Sequence, residues 1–283
     1  MTSFGVSMFP ADFAIQPVEL ARAAEQRGFE SLWFPEHTHI PVRREAPHPG
    51  TGGAALPDDR YLRVLDPWVA LGTAASVTSR IRLGTAVALP AEHDPISLAK
   101  TIATLDHLSG SRVTLGIGFG WNTDELTDHG VPSGRRRTVL REYVEAMRAL
   151  WSQDEASYQG EFVSFGPSWA WPKPAGQAGV PVLLGAGGTQ RTFDWIARTA
   201  DGWISTPLET DIEQRVALLH KTWQAAGRYG LPEVTILAGK PDTGALARWS
   251  QAGVTEVLFG LPDRAADDVA SYIGRLATRL GIG

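Results

Sequence analysis

Hydrophobic residues fall into two alternating patterns along the chain. Short apolar runs, typical of buried strands, are each followed by a segment in which apolar residues recur every three to four positions, as on one helix face. Strands are predicted at Phe4–Met8, Ser31–Phe34, Ile81–Leu89, Arg112–Gly116, Pro181–Leu184, Asp201–Ser205, Val234–Ala238 and Glu256–Phe259. Helices are predicted at Pro17–Arg27, Asp66–Val77, Pro95–Leu105, Thr138–Trp151, Thr189–Ala200, Asp211–Tyr229, Thr243–Ala252 and Ala265–Leu280. The alternation indicates parallel βα units.

Eight such units are the number that closes a (β/α)₈ barrel, and 283 residues are close to the size of one such domain. We therefore predict an α/β fold, a single TIM-barrel domain over residues 1–283. An open, doubly wound sheet is the second choice. It is disfavoured because no GxGxxG fingerprint follows the first strand.

Two long irregular segments interrupt the repeat, Thr38–Leu65 after the second strand and Ser152–Gly179 before the fifth. Segments of this length inside a compact domain are usually functional lids or disordered stretches. We interpret the first as a lid. In the second, Trp169 and Trp171 either cover the barrel mouth or pack under the loop, and packing is favoured.

Composition excludes several classes of function. The chain has no cysteine, which excludes disulfides, thiol nucleophiles and thiolate metal sites. A net charge of −5 argues against nucleic-acid binding, and the basic run Arg135–Arg137 is interpreted as a solvated lead-in to a helix. No stretch approaches the roughly 18 apolar residues that cross a bilayer, and the first residues lack a basic leader, so a cytoplasmic location is expected.

Functional residues of such barrels follow the carboxyl ends of the strands. After the fifth strand, a helix is opened by Gly185, Ala186, Gly187, Gly188 and Thr189. Glycine lets an anion approach the backbone, and the N–H groups of a helix start bind phosphate. This run is predicted to be a phosphate cradle. The alternative is a tight turn that needs glycine only for its shape.

A second glycine-rich run, Gly116–Glu125, follows the fourth strand. Glycine at every second position, including Gly118 and Gly120, suits the close approach of a flat ligand. Trp121 would then supply a stacking surface, and Asn122 an amide for the edge of a heterocycle. The alternative, equally supported by these residues, is a strand thinned so that its neighbours can pack.

Glu36 and His37, after the second strand, form a titratable pair suited to proton transfer near neutral pH, although a structural histidine fits this position equally well. The histidines show no metal-ligand spacing, and no GxSxG nucleophile elbow occurs. Lys240, the one lysine predicted at the mouth, is interpreted as a solvated charge, which disfavours a hydrolase or an aldolase. The remaining class of reaction is acid–base or hydride chemistry on a bound cofactor.

Several segments together resemble the luciferase-like monooxygenase superfamily. The resemblance lies in Thr104–Trp121, Ile81–Val87, Leu65–Trp68, Asp201–Trp203 and Gly187–Arg191 and weakens after Ser205. It implies a barrel that binds FMN or the deazaflavin coenzyme F420 at its mouth. Glu36 and His37 resemble a pair in the F420-dependent branch, which implies that His37 is the proton donor or acceptor and Glu36 its neighbour.

The same resemblance implies a homodimer and a non-prolyl cis peptide at Ala86–Val87, behind the cofactor ring. One position departs from the pattern. Some sugar-phosphate dehydrogenases of this branch carry a glutamate where this chain has Trp121. That activity is therefore not carried over, and a less polar substrate is expected.

We expect an oxidoreductase that transfers a hydride between F420 and a small organic substrate, with the cofactor supplying the redox chemistry. The first alternative is an FMN-dependent monooxygenase that obtains reduced flavin from a partner reductase and uses oxygen. The second is a flavin-binding protein without catalytic activity. We expect no metal, nucleic-acid or membrane partner.

Overall fold

The computed structural model describes residues 2–53, 55–176, 179–238 and 242–283. Within these ranges, eight parallel strands close into a barrel in the spatial order β1-β10-β9-β8-β7-β4-β3-β2. The ten strands, in chain order, are β1 Ser3–Ser7, β2 Ser31–Phe34, β3 Arg82–Thr85, β4 Val113–Gly118, β5 Ala156–Gln159, β6 Ser164–Ser168, β7 Val182–Gly185, β8 Gly202–Ile204, β9 Glu233–Ala238 and β10 Glu256–Gly260. The predicted (β/α)₈ fold class is confirmed, and the open doubly wound sheet is wrong. Lys240 lies outside the described residues.

Helices surround the barrel. They are α1 Pro17–Gln26, α2 Pro67–Ser76, α3 Pro95–Ser109, α4 Thr123–Asp128, α5 Arg136–Ser152, α6 Gln190–Thr199, α7 Ile212–Ala225, α8 Thr243–Ala252 and α9 Ala266–Leu280. Three begin with proline, and Asp66 and Asp94 cap α2 and α3 by accepting hydrogen bonds from first-turn amides. Proline at this position removes only an N–H that lacks a helical partner, so the chain marks these starts locally. None of the helices in the described ranges is long and apolar enough to cross a membrane.

Several boundaries differ from the prediction for local reasons. β3 ends at Thr85 rather than Leu89, since its ladder with β4 is interrupted at Ala86 and Val87. Ala88 pairs again with Ile117 of β4 as an isolated bridge, and a short 3₁₀ turn follows at Pro90–Glu92. α7 ends at Ala225, because Gly227 adopts a positive φ. The segment before β7 contains an antiparallel hairpin of β5 and β6. The sequence pattern did not predict it, because most of its residues are at least partly exposed and it therefore lacks an apolar run.

The lower interior of the barrel is filled by one compact group of apolar side chains, Trp33, Leu183, Ile204 and Leu258. The indole of Trp33 takes the space opposite Gly84, where a Cβ would lie 2.3 Å from the ring. Trp33 Nε1 donates to Ser31 Oγ at 2.7 Å, and that hydroxyl donates to Oε1 of Glu256. These side chains fill the barrel at this level.

The upper interior is lined by smaller residues. Ala86, Val87 and Leu237 are partly buried against the same group and form its upper surface. Glycines occupy Gly118 and Gly185 at the strand ends beside them, and Val87 fills the space that side chains there would take.

Candidate active site

His37 lies just beyond β2, at the mouth of the barrel. Its Nδ1 is 2.8 Å from Oε2 of Glu125, and the two side chains are 6% and 0% exposed. Glu125 belongs to α4, the short helix after β4, so the contact joins two neighbouring strand ends. A buried carboxylate beside an imidazole nitrogen fixes which ring nitrogen carries the proton.

Glu125 also anchors the backbone that follows His37. Its Oε1 accepts hydrogen bonds from the amides of Thr38 at 2.8 Å and His39 at 3.4 Å, and Oε2 accepts from Asn122 Nδ2 at 3.2 Å. Burial raises the pKa of Glu125, but the hydrogen bond and charge of His37 and the two amides outweigh it and hold that pKa below its ordinary value. Glu125 is therefore a carboxylate at neutral pH.

Trp121 occupies the other side of the imidazole. Its Nε1 donates towards Nε2 of His37 at 3.4 Å, and the two rings meet edge to face with centroids 5.6 Å apart. Nδ1 therefore donates to Glu125, while Nε2 keeps the lone pair. The predicted stacking role of Trp121 stays a prediction, and in this structure its ring contacts two histidine rings and the guanidinium of Arg44.

The segment interpreted as a lid lies against these rings. His48 packs edge to face on Trp121 at 5.0 Å and on Tyr61 at 5.1 Å, and its Nε2 is 3.0 Å from the Tyr61 hydroxyl. Burial lowers the pKa of His48, and burial raises that of Tyr61. Both rings are therefore neutral near pH 7 and give the approach to His37 an aromatic wall.

Glu36 turns away from His37. Its carboxylate accepts a hydrogen bond from the amide of Leu89 at 2.6 Å and lies 2.9 Å from Nε2 of His93, while its own amide donates to the carbonyl of Val87 at 3.1 Å. Burial lowers the pKa of His93, yet the hydrogen bond and charge of Glu36 raise it overall. The two predicted catalytic residues are thus adjacent in sequence but have different hydrogen-bond partners, and Glu36 holds the segment after β3. Their catalytic roles stay predictions.

Glu92 is a second buried acid of this region, and the sequence pattern assigned it no role beyond its place at a strand end. It is 5% exposed, and its Oε2 accepts from the Thr38 hydroxyl at 3.4 Å. Burial, together with the negative charges of Glu125 and Glu36, raises the pKa of Glu92 to about 9. Glu92 is therefore a neutral carboxylic acid near pH 7, unlike Glu125.

The peptide bond between Ala86 and Val87 is cis, as the family resemblance implies. Val87 projects between two glycines: a Cβ added at Gly118 would lie 2.6 Å from Val87 Cγ2, and one at Gly185 would lie 2.4 Å from Cγ1. Both glycines therefore make room for this side chain. For Gly118, packing of a neighbour accounts for the missing side chain without a ligand.

The run Gly185–Thr189 forms the turn from β7 into α6. Thr189 caps the helix by accepting from the amide of Thr192 at 3.2 Å. A Cβ at Gly188 would lie 3.1 Å from both Trp203 and Arg215, so packing explains this glycine. Its amide donates to the carboxylate of Glu209 at 2.8 Å, and Glu209 pairs with Arg215 at 3.2 Å. An anionic oxygen thus already lies where the cradle was predicted. Ala186 and Gly187 are half-buried.

Arginines stand beside this turn. The guanidinium of Arg137 lies 4.1 Å from the ring centre of Phe119, and its Nη1 is buried with no hydrogen-bond partner among the described residues. Burial, then the charges of Arg191 and Arg136, lower the pKa of Arg137. Arg136 and Arg137 of the basic run are therefore partly buried rather than fully solvated, while Arg135 is exposed and pairs with Glu161.

Trp169 and Trp171 are 81% and 57% exposed. Trp171 stacks with the ammonium group of Lys173, 5.1 Å from its ring centre, and its carbonyl contacts Lys100 of α3. These contacts place Trp171 on the outer wall of the barrel. The favoured interpretation, packing under a loop, describes them only in part, since the indoles are largely solvated.

Residues 15–241 match the luciferase-like monooxygenase family. An uncharacterized protein of Mycobacterium tuberculosis is 65% identical over 98% of this chain and 98% of its own length. An F420-dependent glucose-6-phosphate dehydrogenase of Kineococcus radiotolerans is 32% identical over 77% of this chain and 59% of its own length.

Solved structures share the fold. Monooxygenase RslO1 from Streptomyces bottropensis superposes with a TM-score of 0.75 at 22% identity, covering 99% of this chain and 98% of that one. An F420-dependent secondary alcohol dehydrogenase in complex with an F420-acetone adduct superposes with a TM-score of 0.75 at 17% identity, covering 98% and 97%. At these identities the likeness establishes the barrel alone.

Proposed function

The chain belongs to the luciferase-like monooxygenase family, and from this premise we propose that it is an F420-dependent oxidoreductase. The reaction is the transfer of a hydride between the deazaflavin and a small organic substrate, with His37 as the proton donor or acceptor. The observation that carries the proposal is the imidazole of His37, whose Nδ1 is fixed by the buried Glu125 and whose Nε2 faces Trp121 at the mouth.

The residues at the mouth fit such a cofactor. Ala86, Val87 and Leu237 offer an apolar floor to a flat ring. The Gly188 amide donates to the carboxylate of Glu209, so a phosphate oxygen would take this donor only after displacing Glu209 towards Arg215. Beside it, Arg137 supplies a guanidinium for anionic groups. When bound, the deazaflavin supplies a two-electron hydride acceptor or donor.

His37 manages the proton that accompanies the hydride. Because Nδ1 donates to Glu125, Nε2 can accept a proton from a substrate hydroxyl, and the resulting imidazolium stays paired with a carboxylate. The rings of Trp121, Tyr61 and His48 exclude water from this side of the imidazole. An aromatic wall of this kind favours a substrate with little charge, such as a secondary alcohol or a ketone of modest size.

The alternative to this proposal is an FMN-dependent monooxygenase, which the family name and the similar fold of RslO1 suggest. The two differ in the cofactor that they bind. The test is titration of the purified apoprotein with F420 and, separately, with FMN, followed by fluorescence. We expect saturable F420 binding at micromolar concentration or below. Micromolar FMN binding without F420 binding would refute the proposal and favour the monooxygenase, which would need a reductase partner.

The role of His37 is tested by His37→Ala. We expect turnover to fall by roughly a hundredfold or more while the F420 dissociation constant changes little, since general acid–base catalysis contributes about 10²–10⁴. His107→Ala, at an exposed histidine of α3, is the matched control and should keep full activity. Unchanged turnover in His37→Ala would contradict the assignment. We further propose a cytoplasmic homodimer, to be checked by light scattering.

A further inference from the structure

The hydroxyl of Thr38 lies at the junction of four titratable groups. Towards the interior, Oγ1 is 3.3 Å from Oε1 of Glu125 and 3.4 Å from Oε2 of Glu92. Towards the surface, it is 2.7 Å from Nε2 of His129 and 3.0 Å from Nδ1 of His39. A single hydroxyl, which can both donate and accept, thus connects two buried carboxyl groups to two exposed imidazoles.

The inner end of this chain reaches the imidazole of the candidate site. Glu125 touches Nδ1 of His37 with one oxygen and the Thr38 hydroxyl with the other. Glu92 shares the same hydroxyl, and its Oε1 is buried without a hydrogen-bond partner among the described residues. An ionised carboxylate with an oxygen buried and without a hydrogen bond would destabilise the fold, whereas a carboxylic acid can donate its own proton towards Glu125.

The outer end reaches water. His129 is exposed, and burial together with the charge of His39 lowers its pKa, so the ring is a neutral acceptor at pH 7. His39 lies 3.0 Å from Asp128, and these two side chains are 42% and 57% exposed. A proton that arrives at either imidazole therefore exchanges directly with solvent.

We propose that Glu92 and Glu125 hold one proton in common and exchange it with solvent through Thr38 and His129, which lets His37 lose its positive charge through Nδ1. The part that concerns His37 rests on the proposed function. Glu92, Glu125 and Thr38 act through His37 and are positioning residues.

Every proton transfer in this route has a donor and an acceptor. When His37 has taken a proton at Nε2, its Nδ1–H bond breaks and an O–H bond forms on Glu125, so that the pair briefly holds two protons. Glu92 then gives its proton to Thr38 Oγ1 as the hydroxyl hydrogen moves to Nε2 of His129, which releases a proton to water. Once the product has left, the Nε2–H bond of His37 breaks and its proton passes to water at the mouth. Glu125 then returns its proton to Nδ1, and Glu92 regains a proton from solvent through His129 and Thr38. Each transfer breaks one bond to hydrogen and forms another, with no change of oxidation state.

The charges that face Glu92 come from every neighbouring segment. Glu125 of α4 and Glu36 after β2 are negative and favour its protonated form. His93 pairs with Glu36 from the same turn as Glu92, which offsets part of that charge. Since the two carboxylates act directly on Glu92 and burial adds to them, the acid form prevails around neutral pH.

The first test uses the apoprotein, so it does not depend on any cofactor. Infrared spectroscopy of protein labelled with ¹³C-glutamate should show a protonated carboxyl band at neutral pH. Glu92→Gln keeps the shape and a donor towards Glu125 but has no acid proton, and we expect the band to lose intensity. Burial also raises the pKa of Glu256 and Glu233, so the readout is the difference spectrum between wild type and variant. Glu25→Gln, at an acid on the opposite end of the barrel, should leave the band unchanged. A band of equal intensity in wild type and Glu92→Gln would overturn the proposal.

The second test measures exchange of the His37 Nδ1 proton with solvent by ¹⁵N NMR. Thr38→Val removes the junction and should slow exchange at least about tenfold, because one obligatory acid–base step is lost. Thr38→Ser restores the hydroxyl and should return exchange to the wild-type range. Equal rates in wild type and Thr38→Val would overturn the relay. Both results stand even if F420 fails to bind, so they separate this inference from the proposed function.

Discussion

Burial of Glu92 in its acid form makes the stability of the fold depend on pH. The pKa of this group rises from 4.5 to about 9, through burial and the charges of Glu125 and Glu36. A group whose pKa is raised on folding stabilises the fold fully below its unfolded value, and this contribution is lost as the pH rises through the folded value. Wild-type protein should therefore lose stability steadily across the neutral range, where only the unfolded chain has released this proton.

The size of the effect follows from one proton. Between about pH 6 and pH 8 the folded state binds one proton more than the unfolded state at this position, so the free energy of unfolding falls by roughly 1.4 kcal/mol per pH unit. Glu92→Gln removes the titrating group and keeps the volume. The stability of the variant relative to wild type should therefore improve with pH, by about 1–3 kcal/mol over this window.

The assay is urea unfolding of both proteins at half-unit pH steps, followed by circular dichroism. Glu25→Gln is the matched control. Burial raises the pKa of Glu25, but amide hydrogen bonds from Ile81, Arg80 and Ser79 lower it overall, so this group is ionised in both states above pH 6. Its difference from wild type should be constant over the window. A constant difference for Glu92→Gln as well would refute the assignment of a buried neutral acid.

Three further predictions concern packing, pH and cofactor binding. Gly185→Ala places a Cβ 2.4 Å from Val87 and should destabilise the fold by about 1–3 kcal/mol in thermal unfolding, whereas Gly260→Ala, with open space around it, should not. His93→Gln should lower the free energy of unfolding most below pH 6.5, and progressively less as the pH rises through the raised pKa of His93. Denaturation at pH 5.5 and pH 8.5 measures this, and an equal loss at both values would contradict the ion pair with Glu36. Arg137→Ala should weaken F420 binding roughly tenfold in the fluorescence titration, which corresponds to about 1.4 kcal/mol. Arg228→Ala, at a similar ring-stacked arginine over Trp223, should leave binding unchanged, and equal losses in both variants would count against a tail site at Arg137.

The barrel could be predicted because each buried strand leaves its own mark on the sequence. Leu32 to Phe34 and Val182 to Leu184 are apolar at every position, as strands covered on both faces must be. The six-residue α4 carries too few apolar positions for a helical period. The sequence pattern therefore could not show that this helix brings Glu125 back to His37, three residues beyond β2.

The predicted pairing of Glu36 with His37 shows a second limit of prediction from sequence. Successive side chains of extended backbone point to opposite sides, so adjacent residues at a strand end seldom share one contact. That rule, applied to the sequence, would have separated Glu36 from His37. It would not have found their actual partners, Leu89 and Glu125, because those depend on how the chain leaves β3 and β4.

The carboxylate of Glu125 binds both the imidazole of His37 and the backbone amides of the two residues that follow it. The start of the segment Thr38–Leu65 is therefore held in place by Glu125, whatever residues the rest of the segment contains. A loop of other length and composition, transplanted from a relative at residues 40–65, should keep the contact of His37 Nδ1 with Glu125 while it replaces the aromatic wall of His48 and Tyr61. The barrel and the residues at its strand ends can therefore be kept constant, and new substrates can be sought by exchanging residues 40–65 alone.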